Sequence, residues 1–406
     1  MSRTEDVAFS PDGQTIAIAN YGRDQVAFFR IELAGPRVRL THAASMASTD
    51  LLEPHGLCFV DTERIIVASR AGAASVFKVP AELDGEEHRT DALAILGEGA
   101  PAQRTPGSVA VHRLGESAYD VLVCNNFAHE VARYRLDVNN LTSHSPERLL
   151  VRRWMDIPDG IAVSPDGGWI AISNHLANAV MLYRNDPSLH PDSDPDGIAR
   201  GVAFPHGLTF NGDGTRLYVA DAGSPYVHTY APGPIGWAGM HHPQWSTRVM
   251  DEETFRRGRA NPAEGGPKGM ALHPSAPLMA LTCETRPLWF VEIDKLTATA
   301  AIATASAQVA LELDRMAEAS GGRQAGREAA AALARLVEMD HEVSRRERQI
   351  QGLSAQVIEF EERRRRAAAR AARAERRLAE LRRSRSWRWT APVRSAVDRW
   401  RRVAGR

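Results

Sequence analysis

Four polar residues stand at the same point of a repeated Pro-x-Gly motif and could do chemistry together. They are His55, Asp159, His206 and Lys268, each placed directly before a glycine that opens an apolar run. Imidazole and carboxylate groups are ligands for divalent metal ions. If the repeats close into a six-membered ring, His55 and His206 stand three repeats apart and face each other across its axis. The four residues are therefore a candidate binding site, and the first three are a candidate site for one divalent metal ion.

A simpler interpretation is that these side chains line an axial channel and only contact water. We favour it at this point and expect no cofactor, because Pro-His-Gly is frequent before the inner strands of such repeats. The sequence also shows no nucleophile elbow, phosphate loop or dinucleotide fingerprint. An enzymatic role is therefore the alternative interpretation here, and binding is the main one.

A second polar set follows the second predicted strand of each repeat. Such residues either satisfy backbone groups at the strand end or crown a mouth that binds a small molecule or a peptide. The sequence alone leaves both roles open. The candidate binding residues of this set are Asn20, Asn125, Asn174 and Asp221, and their polar neighbours are Arg70, Asn126, His175 and Glu284.

The elements that must position these residues are short strands in a repeat. Four Pro-x-Gly-apolar segments, a fifth in which the glycine is shifted by one residue and a sixth that keeps only the apolar part recur at about 47 to 62 residues. Each leads to a turn such as Ser-Pro-Asp-Gly and then to two or three further short strands. One four-stranded sheet cannot bury both of its faces, whereas sheets stacked around an axis can. The sequence therefore predicts an all-β propeller over 1–297, with six blades, or seven if 233–264 contains an irregular one.

The repeats resemble the YVTN/NHL-type and WD40-like propeller superfamily, although the Trp-Asp dipeptide of WD40 repeats is missing. The resemblance implies the fold and leaves the function open. Some six-bladed relatives, which are lactonases and lyases, hold a metal at the channel mouth. Gluconolactonase-type relatives use a Glu near blade one, where Glu5 or Asp6 would align, but their Asn-Gly inner strand is absent here. The segments that carry the resemblance are Phe9–Gly13, Val163–Gly167, Pro205–Leu208 and Leu217–Asp221.

The region 298–383 is rich in Ala, Glu, Arg and Leu and predicts an α-helical coiled-coil tail. A sustained 3.5-residue period makes a seam that is buried against another helix, so we expect a homo-oligomer. Residues 323–406 carry a net charge of about +12. Nucleic acid is not the expected partner, because aromatic residues do not alternate with the arginines of 363–383. The apolar seam consists of Leu336, Met339, Val343, Ile350, Leu353, Val357, Phe360, Leu378 and Leu381.

The last segment, 384–406, is basic and carries Trp387, Trp389 and Trp400. Tryptophan and arginine on a short amphipathic helix are typical of contact with an anionic membrane surface. The segment also resembles a short element, Ser-x-Ser-Trp-Arg-x-Thr-Ala-Pro-x-Arg, that follows coiled coils in bacterial glycosyltransferases and methyltransferases of surface-polysaccharide assembly. The resemblance implies a setting at the envelope and no transferase activity.

The cysteines and the N-terminus indicate a reducing compartment. Cys58, Cys124 and Cys283 are sparse and lie in apolar runs, and no signal peptide precedes the first strand. We therefore expect a cytoplasmic protein at most peripheral to the inner membrane. The main functional hypothesis is a non-enzymatic propeller that binds a protein or a glycan, is oligomerised by its tail and acts in envelope polysaccharide assembly. The alternative is a metal-dependent lactonase-type hydrolase or lyase that uses the channel.

Overall fold

The apolar runs of the repeats form antiparallel strands in the computed structural model of the chain. The structure describes residues 3–34, 37–81, 84–96, 105–141, 148–259 and 264–297. The predicted coiled coil over 298–383 and the predicted membrane segment over 384–406 lie outside these ranges. Within them, no helix is long and apolar enough to cross a bilayer.

The described strands form six sheets, and each sheet is one blade that runs outward from the axis. Blade one contains β1 (Thr4–Phe9), β2 (Thr15–Asn20), β3 (Gln25–Ala34) and β4 (Arg37–Ala47), with β8 (Glu87–Arg89) at its edge. Blade two contains β5 (Pro54–Phe59), β6 (Arg64–Ser69), β7 (Ala74–Lys78) and β9 (Ala94–Leu96). Blade three contains β10 (Pro106–Arg113), β11 (Ala118–Asn125), β12 (Glu130–Asp137) and β13 (Arg148–Val151).

The other three blades follow the same order. Blade four contains β14 (Pro158–Val163), β15 (Trp169–Asn174), β16 (Ala179–Arg184) and β17 (Gly197–Ala199), with β21 (Gly239–His241) at its edge. Blade five contains β18 (Pro205–Phe210), β19 (Leu217–Asp221), β20 (Tyr226–Tyr230) and β22 (Trp245–Arg248). Blade six contains β23 (Met270–Leu272), β24 (Leu278–Leu281) and β25 (Trp289–Glu292). The helical pieces are α1 (Glu252–Gly258) and 3₁₀ turns at Tyr21–Arg23, Asn126–Ala128 and Ile293–Leu296.

The predicted six blades are confirmed, and 233–264 is not a seventh. Its described part supplies β21 to blade four, β22 to blade five and the short helix α1. β21 pairs in parallel with β17, and β8 pairs in parallel with β4. Each of these strands therefore covers the outer edge of a blade that the chain had already completed.

The Ser-Pro-Asp-Gly turns connect the first two strands of blades one and four as the sequence predicts. In blade one, the Asp12 carboxylate accepts the Gln14 N–H at 3.0 Å, and Gly13 has a φ of 71°. In blade four, the Asp166 carboxylate accepts the Gly168 N–H at 3.0 Å. A positive φ costs glycine little because it has no Cβ, so the turn fixes the register of the hairpin.

The ring closes by packing of blade six against blade one. The Thr282 hydroxyl donates to the Glu5 carbonyl oxygen at 3.1 Å, and the Thr4 hydroxyl donates to that of Pro287 at 3.1 Å. Among the described residues blade six has no fourth strand, and the chain after β25 forms a 3₁₀ turn over Ile293–Leu296. The carbonyl oxygen of Leu296 instead accepts the Thr247 hydroxyl of blade five at 3.2 Å.

The core lies between neighbouring blades, as the packing argument requires. One apolar cluster joins blades two and three through side chains such as Ile66 and Val121, and another joins blades six and one through Ile18 and Ala280. These side chains are fully buried. Burial of one Val, Leu or Ile side chain stabilises a fold by about 1.5 to 3 kcal/mol, so each interface contributes substantially.

Candidate functional site

Four glycines at the anchor positions form a narrow level of the channel, here called the glycine waist, and they fix where the channel side chains lie. They are Gly56, Gly160, Gly207 and Gly269. A Cβ at Gly160 would lie 2.1 Å from the carbonyl oxygen of His206, and one at Gly207 would lie 2.6 Å from that of Lys268. At these two positions the inner strand of the next blade therefore lies too close for a side chain. The same crowding holds for Gly56 and Gly269. The residue before each glycine consequently projects into the channel on one side of the waist.

The structure brings the four predicted channel residues together on that side. His206 Nε2 lies 3.0 Å from Asp159 Oδ2, and the rings of His55 and His206 stack with centroids 5.6 Å apart. The two histidines thus face each other as their spacing in the repeat predicts. All four residues, including Lys268, are buried. Their assignment as binding residues stays a prediction, since proximity alone does not show a ligand.

Glu5 completes this ring; the sequence named it only through the gluconolactonase-type resemblance and not as a candidate site residue. In the strand register, Asp6 of β1 stands where β5 has Gly56, so Glu5 stands where β5 has His55. This alignment could have found Glu5, but blade one lacks the Pro and Gly that mark the other anchors. Blade three has Gly107 at the same level, and the Asn126 side chain fills the space that a Cβ there would need.

Asp159 is the carboxylate that several neighbours contact in one half of the site. Its Oδ1 accepts from Asn126 Nδ2 at 2.5 Å and from Arg70 Nη2 at 3.4 Å, while its Oδ2 faces His206. Burial by itself would raise the pKa of Asp159. The interactions of Asp159 with His206, and after them those with His55 and Arg70, outweigh burial and hold this pKa well below its usual range. Asp159 is therefore an ionised carboxylate inside the protein.

Glu5 and Lys268 form the centre of an ion-pair cluster in the other half of the site. Glu5 is fully buried, pairs with Arg3 and lies 3.3 Å from Lys268 Nζ. Lys268 Nζ also lies 3.0 Å from Glu264 Oε2 and 3.3 Å from Glu284 Oε2. Burial would raise the pKa of Glu5, but Arg3 and Lys268 overcome it and lower that pKa. The Lys268 pKa is raised, because its carboxylates outweigh burial.

The hydrogen bond that His55 makes fixes its tautomer. Its Nδ1 lies 2.7 Å from the carbonyl oxygen of Gly107, which can only accept, so Nδ1 carries the proton. Burial and the neighbouring Arg70 lower the pKa of His55 to about 3, so the ring is neutral near pH 7. His55 Nε2 therefore presents a lone pair, and it lies 3.6 Å from Glu5 Oε2.

Glu5, His55 and His206 together form a possible set of metal ligands. Each offers one ligand atom, and these atoms lie within 4.8 Å of one another. Glu5 thus takes the place of Asp159 in the ligand set that the sequence predicts. The Asp159 carboxylate is already bonded to Asn126 and Arg70. A neutral imidazole and a carboxylate that face each other without a shared proton are suitable donors for a divalent cation.

The four strand-end residues of the second predicted set mainly form hydrogen bonds within neighbouring loops. Asn174 donates to the Trp154 carbonyl oxygen at 2.5 Å, and Asp221 accepts the Gly223 N–H at 2.9 Å. The Nδ2 of Asn125 lies 3.5 Å from Glu130 Oε1, and Asn20 is buried. These contacts fit the strand-end interpretation.

In five of the blades, the residue that follows this strand-end position along the chain turns toward the channel instead. At this position stand Arg70, Asn126, His175 and Glu284, and blade one has Tyr21 there. The Tyr21 ring lies under the Arg3 guanidinium, with 4.5 Å between Cζ and the ring centroid. Asn126 Oδ1 is buried and accepts no hydrogen bond from the part of the chain that the structure describes.

The fold and the strand order define this protein as a six-bladed β-propeller with a buried, charged channel mouth. No protein-family model matches the chain, and no curated protein matches it. It is similar to a functionally unknown protein from Desulfotomaculum acetoxidans, at 13% identity over 72% of this chain and 83% of that one, with a TM-score of 0.48. It is also similar to the calcium-binding protein regucalcin from Agrobacterium tumefaciens, at 15% identity over 70% of this chain and 82% of that one, with a TM-score of 0.44.

The buried neutral His55 predicts a specific acid sensitivity. The pKa of His55 is about 3 in the folded chain, against an ordinary value of 6.5. Between these pH values the unfolded chain binds a proton that the folded chain does not, so stability falls as the pH falls from about 6.5. One proton corresponds to a slope of about 1.4 kcal/mol per pH unit. His55→Gln should flatten the dependence of the unfolding free energy on pH by about this slope between pH 6 and pH 4.

The measurement is denaturant unfolding at several pH values in buffer with a metal chelator. The exposed His42 provides the matched control, and His42→Gln should leave the slope unchanged. An equal slope in the wild type and in His55→Gln would contradict the neutral state of His55. The charged and titratable groups that face His55 are Glu5, Arg70, Asp159 and His206.

Proposed function

We propose that the channel mouth is the active site of a metal-dependent hydrolase or lyase that acts on a small polar substrate. The observation that carries the proposal is the pair of acceptors described above, His55 Nε2 and Glu5 Oε2, which face each other at 3.6 Å with His206 beside them. A buried acceptor pair without a proton between it is costly unless a cation joins it. Zinc binds imidazole nitrogen and carboxylate oxygen at about 2.0 to 2.2 Å, so two such ligands about 3.6 Å apart can share one ion.

The charged groups around Glu5, His55 and His206 are compatible with a bound cation. Lys268 donates to the same Glu5 oxygen, but it also pairs with Glu264 and Glu284. Lys268 would therefore keep two carboxylate partners when Glu5 turns toward a cation. A bound divalent ion would supply a Lewis acid that polarises a carbonyl group or lowers the pKa of a water molecule. Glu5, His55 and His206 are the residues that would hold it.

The remaining polar residues supply proton transfer and charge recognition. Asp159 orients His206 through the 3.0 Å contact, so His206 keeps a fixed direction in the channel. A histidine that is oriented by a carboxylate is a usual partner in acid–base chemistry and beside metals. Arg70 and Arg3 place positive charge near the mouth, which favours a substrate with a carboxylate or a developing oxyanion. A lactone or another ester of a small polar acid has these properties.

The proposal predicts a stoichiometric divalent ion in the purified protein. Elemental analysis should find about one zinc or manganese per chain, and His55→Ala/His206→Ala should weaken metal affinity at least 100-fold, because two of three ligands are lost. The matched control is His228, which is also buried and lies 2.9 Å from a carboxylate, Asp221, away from the channel. His228→Ala should keep the metal.

A protein without bound metal at any divalent-ion concentration tested would overturn this function. Retention of the metal by the double variant would overturn the assigned ligands. Esterase and lactonase assays on aldonolactones then test whether the bound metal supports turnover.

A second candidate function follows from Lys268. Its ammonium group contacts three carboxylates at 3.0 to 3.3 Å, so the site has a resident cation of its own. This arrangement favours the non-enzymatic function, in which the propeller binds a protein or glycan, is oligomerised by the predicted coiled coil and acts beside envelope polysaccharide assembly. In that case the purified protein contains no metal and hydrolyses no lactone.

A further inference from the structure

The glycine waist divides the axial channel into two parts, and the second part is a separate cavity of about 570 Å³. It lies on the far side of the waist from His55 and Asp159, neither of which lines it. Cavities of about 300 to 1,000 Å³ are typical of small-molecule sites. This lower cavity plays no part in the function proposed above.

One small side chain from each blade leaves the space open. These residues stand two positions after the waist level on successive inner strands, and larger apolar side chains such as Leu57, Phe210 and Met270 surround them. These side chains form an apolar belt, and the polar groups of Asp6, Ser108, Asn211, Arg216 and His273 complete the lining. The six small residues are Ala8, Cys58, Ala110, Ala162, Thr209 and Ala271.

Asp6 places a carboxylate at the waist end of this apolar space. It stands at the waist position of blade one, where four other blades have glycine, and its Oδ2 accepts the Leu57 N–H at 3.0 Å. In the described part of the chain its carboxylate forms no ion pair within 4.0 Å, and His206 and Asp159 interact with it electrostatically from the other side of the waist. Arg216, which also lines the cavity, stacks on the Trp245 ring with 5.4 Å between Cζ and the centroid.

We propose that the lower cavity binds a compact apolar amine, with its ammonium group on Asp6 and its hydrocarbon body against the six small side chains. A carboxylate in an apolar space is costly without a cation, so a ligand that carries one offsets this cost. A charge-assisted hydrogen bond is about twice as strong as a neutral one, which favours an ammonium over an alcohol. A ligand with its own carboxylate would be repelled.

Isothermal titration of the full-length protein at pH 8 tests the proposal with three ligands of one shape. Cyclohexylammonium should bind at least tenfold more tightly than cyclohexanol, and cyclohexanecarboxylate should not bind. Asp6→Asn should reduce the affinity for cyclohexylammonium at least tenfold and leave that for cyclohexanol within threefold. Ala162→Leu fills the cavity and should abolish binding of both.

Two comparisons keep this inference separate from the metal-dependent function. His55→Ala, which removes one proposed metal ligand, should bind cyclohexylammonium as the wild type does, because His55 does not line the cavity. Wild-type protein that binds none of the three ligands would overturn the proposal, as would equal affinity for cyclohexanecarboxylate and cyclohexylammonium. This series on the wild type decides the question even if Asp6→Asn does not fold.

Discussion

Asp159→Ala is expected to lower the free energy of unfolding by about 3 to 5 kcal/mol. Asp159 lies at the centre of the buried half-site, where it accepts from Asn126 and Arg70 and faces His206. Removal of one member of a buried ion pair leaves the other charge without compensation, and such changes cost about this much. The Arg70 guanidinium would remain buried, with its ion pair to Asp159 gone. Chemical denaturation followed by circular dichroism measures the loss.

The matched control for this change is Asp192→Ala. Asp192 pairs with Arg152 at 3.2 Å, but both side chains are more than half exposed. Exposed pairs contribute about 0 to 1 kcal/mol, so this variant should unfold close to the wild type. Similar losses in both variants would contradict the role of Asp159 as a buried carboxylate that several neighbours contact.

Gly160→Ala is the second change with a large expected effect, a loss of about 3 kcal/mol or more, or failure to fold. The new Cβ would lie 2.1 Å from the carbonyl oxygen of His206 and 2.9 Å from the Ser173 hydroxyl. The carbonyl belongs to the inner strand of the next blade, which cannot move without opening the ring. Overpacking of a core costs about 1 to 3 kcal/mol and occasionally more, and here the obstacle is backbone.

Gly115→Ala is the control for the glycine waist. Gly115 lies in an exposed loop of blade three, and a Cβ there would meet no atom within 4 Å. Its stability should change by less than about 0.5 kcal/mol, as for most surface substitutions. If Gly160→Ala were as stable as Gly115→Ala, the inner strands would not be in contact at the waist.

The number of blades could be predicted from the sequence because the same local signals recur. Turns such as Ser10–Gly13 and Ser164–Gly167 fix hairpins locally, and six repeats with uncovered apolar faces require a ring. The edge strands β8 and β21 could not be predicted in this way. Each pairs with a blade that the chain has left, so its position depends on long-range packing.

The site could be predicted only where a residue carries the repeat signal. Pro-x-Gly marks the level of His55 and His206, and the structure places these side chains face to face. Glu5 has no such mark, and Arg70 stands one position beyond the strand ends that the sequence analysis selected. Glu264 reaches Lys268 from an irregular connection, which no periodicity describes.

The ionisation states also depend on the three-dimensional structure. The neutral state of His55 depends on burial and on the Arg70 charge, and its tautomer depends on the Gly107 carbonyl group of the next blade. Sequence spacing brings the histidines to one level, but it does not determine which nitrogen carries a proton. The proposed choice of Glu5 rather than Asp159 as a metal ligand is based on those details.

Anomalous diffraction from crystals soaked in Mn²⁺ tests the proposed metal site most directly. We expect one strong anomalous peak within bonding distance of Glu5, His55 and His206, with the Lys268 ammonium paired with Glu264 and Glu284. No peak in the channel, with the Lys268 ammonium still on Glu5, would contradict it.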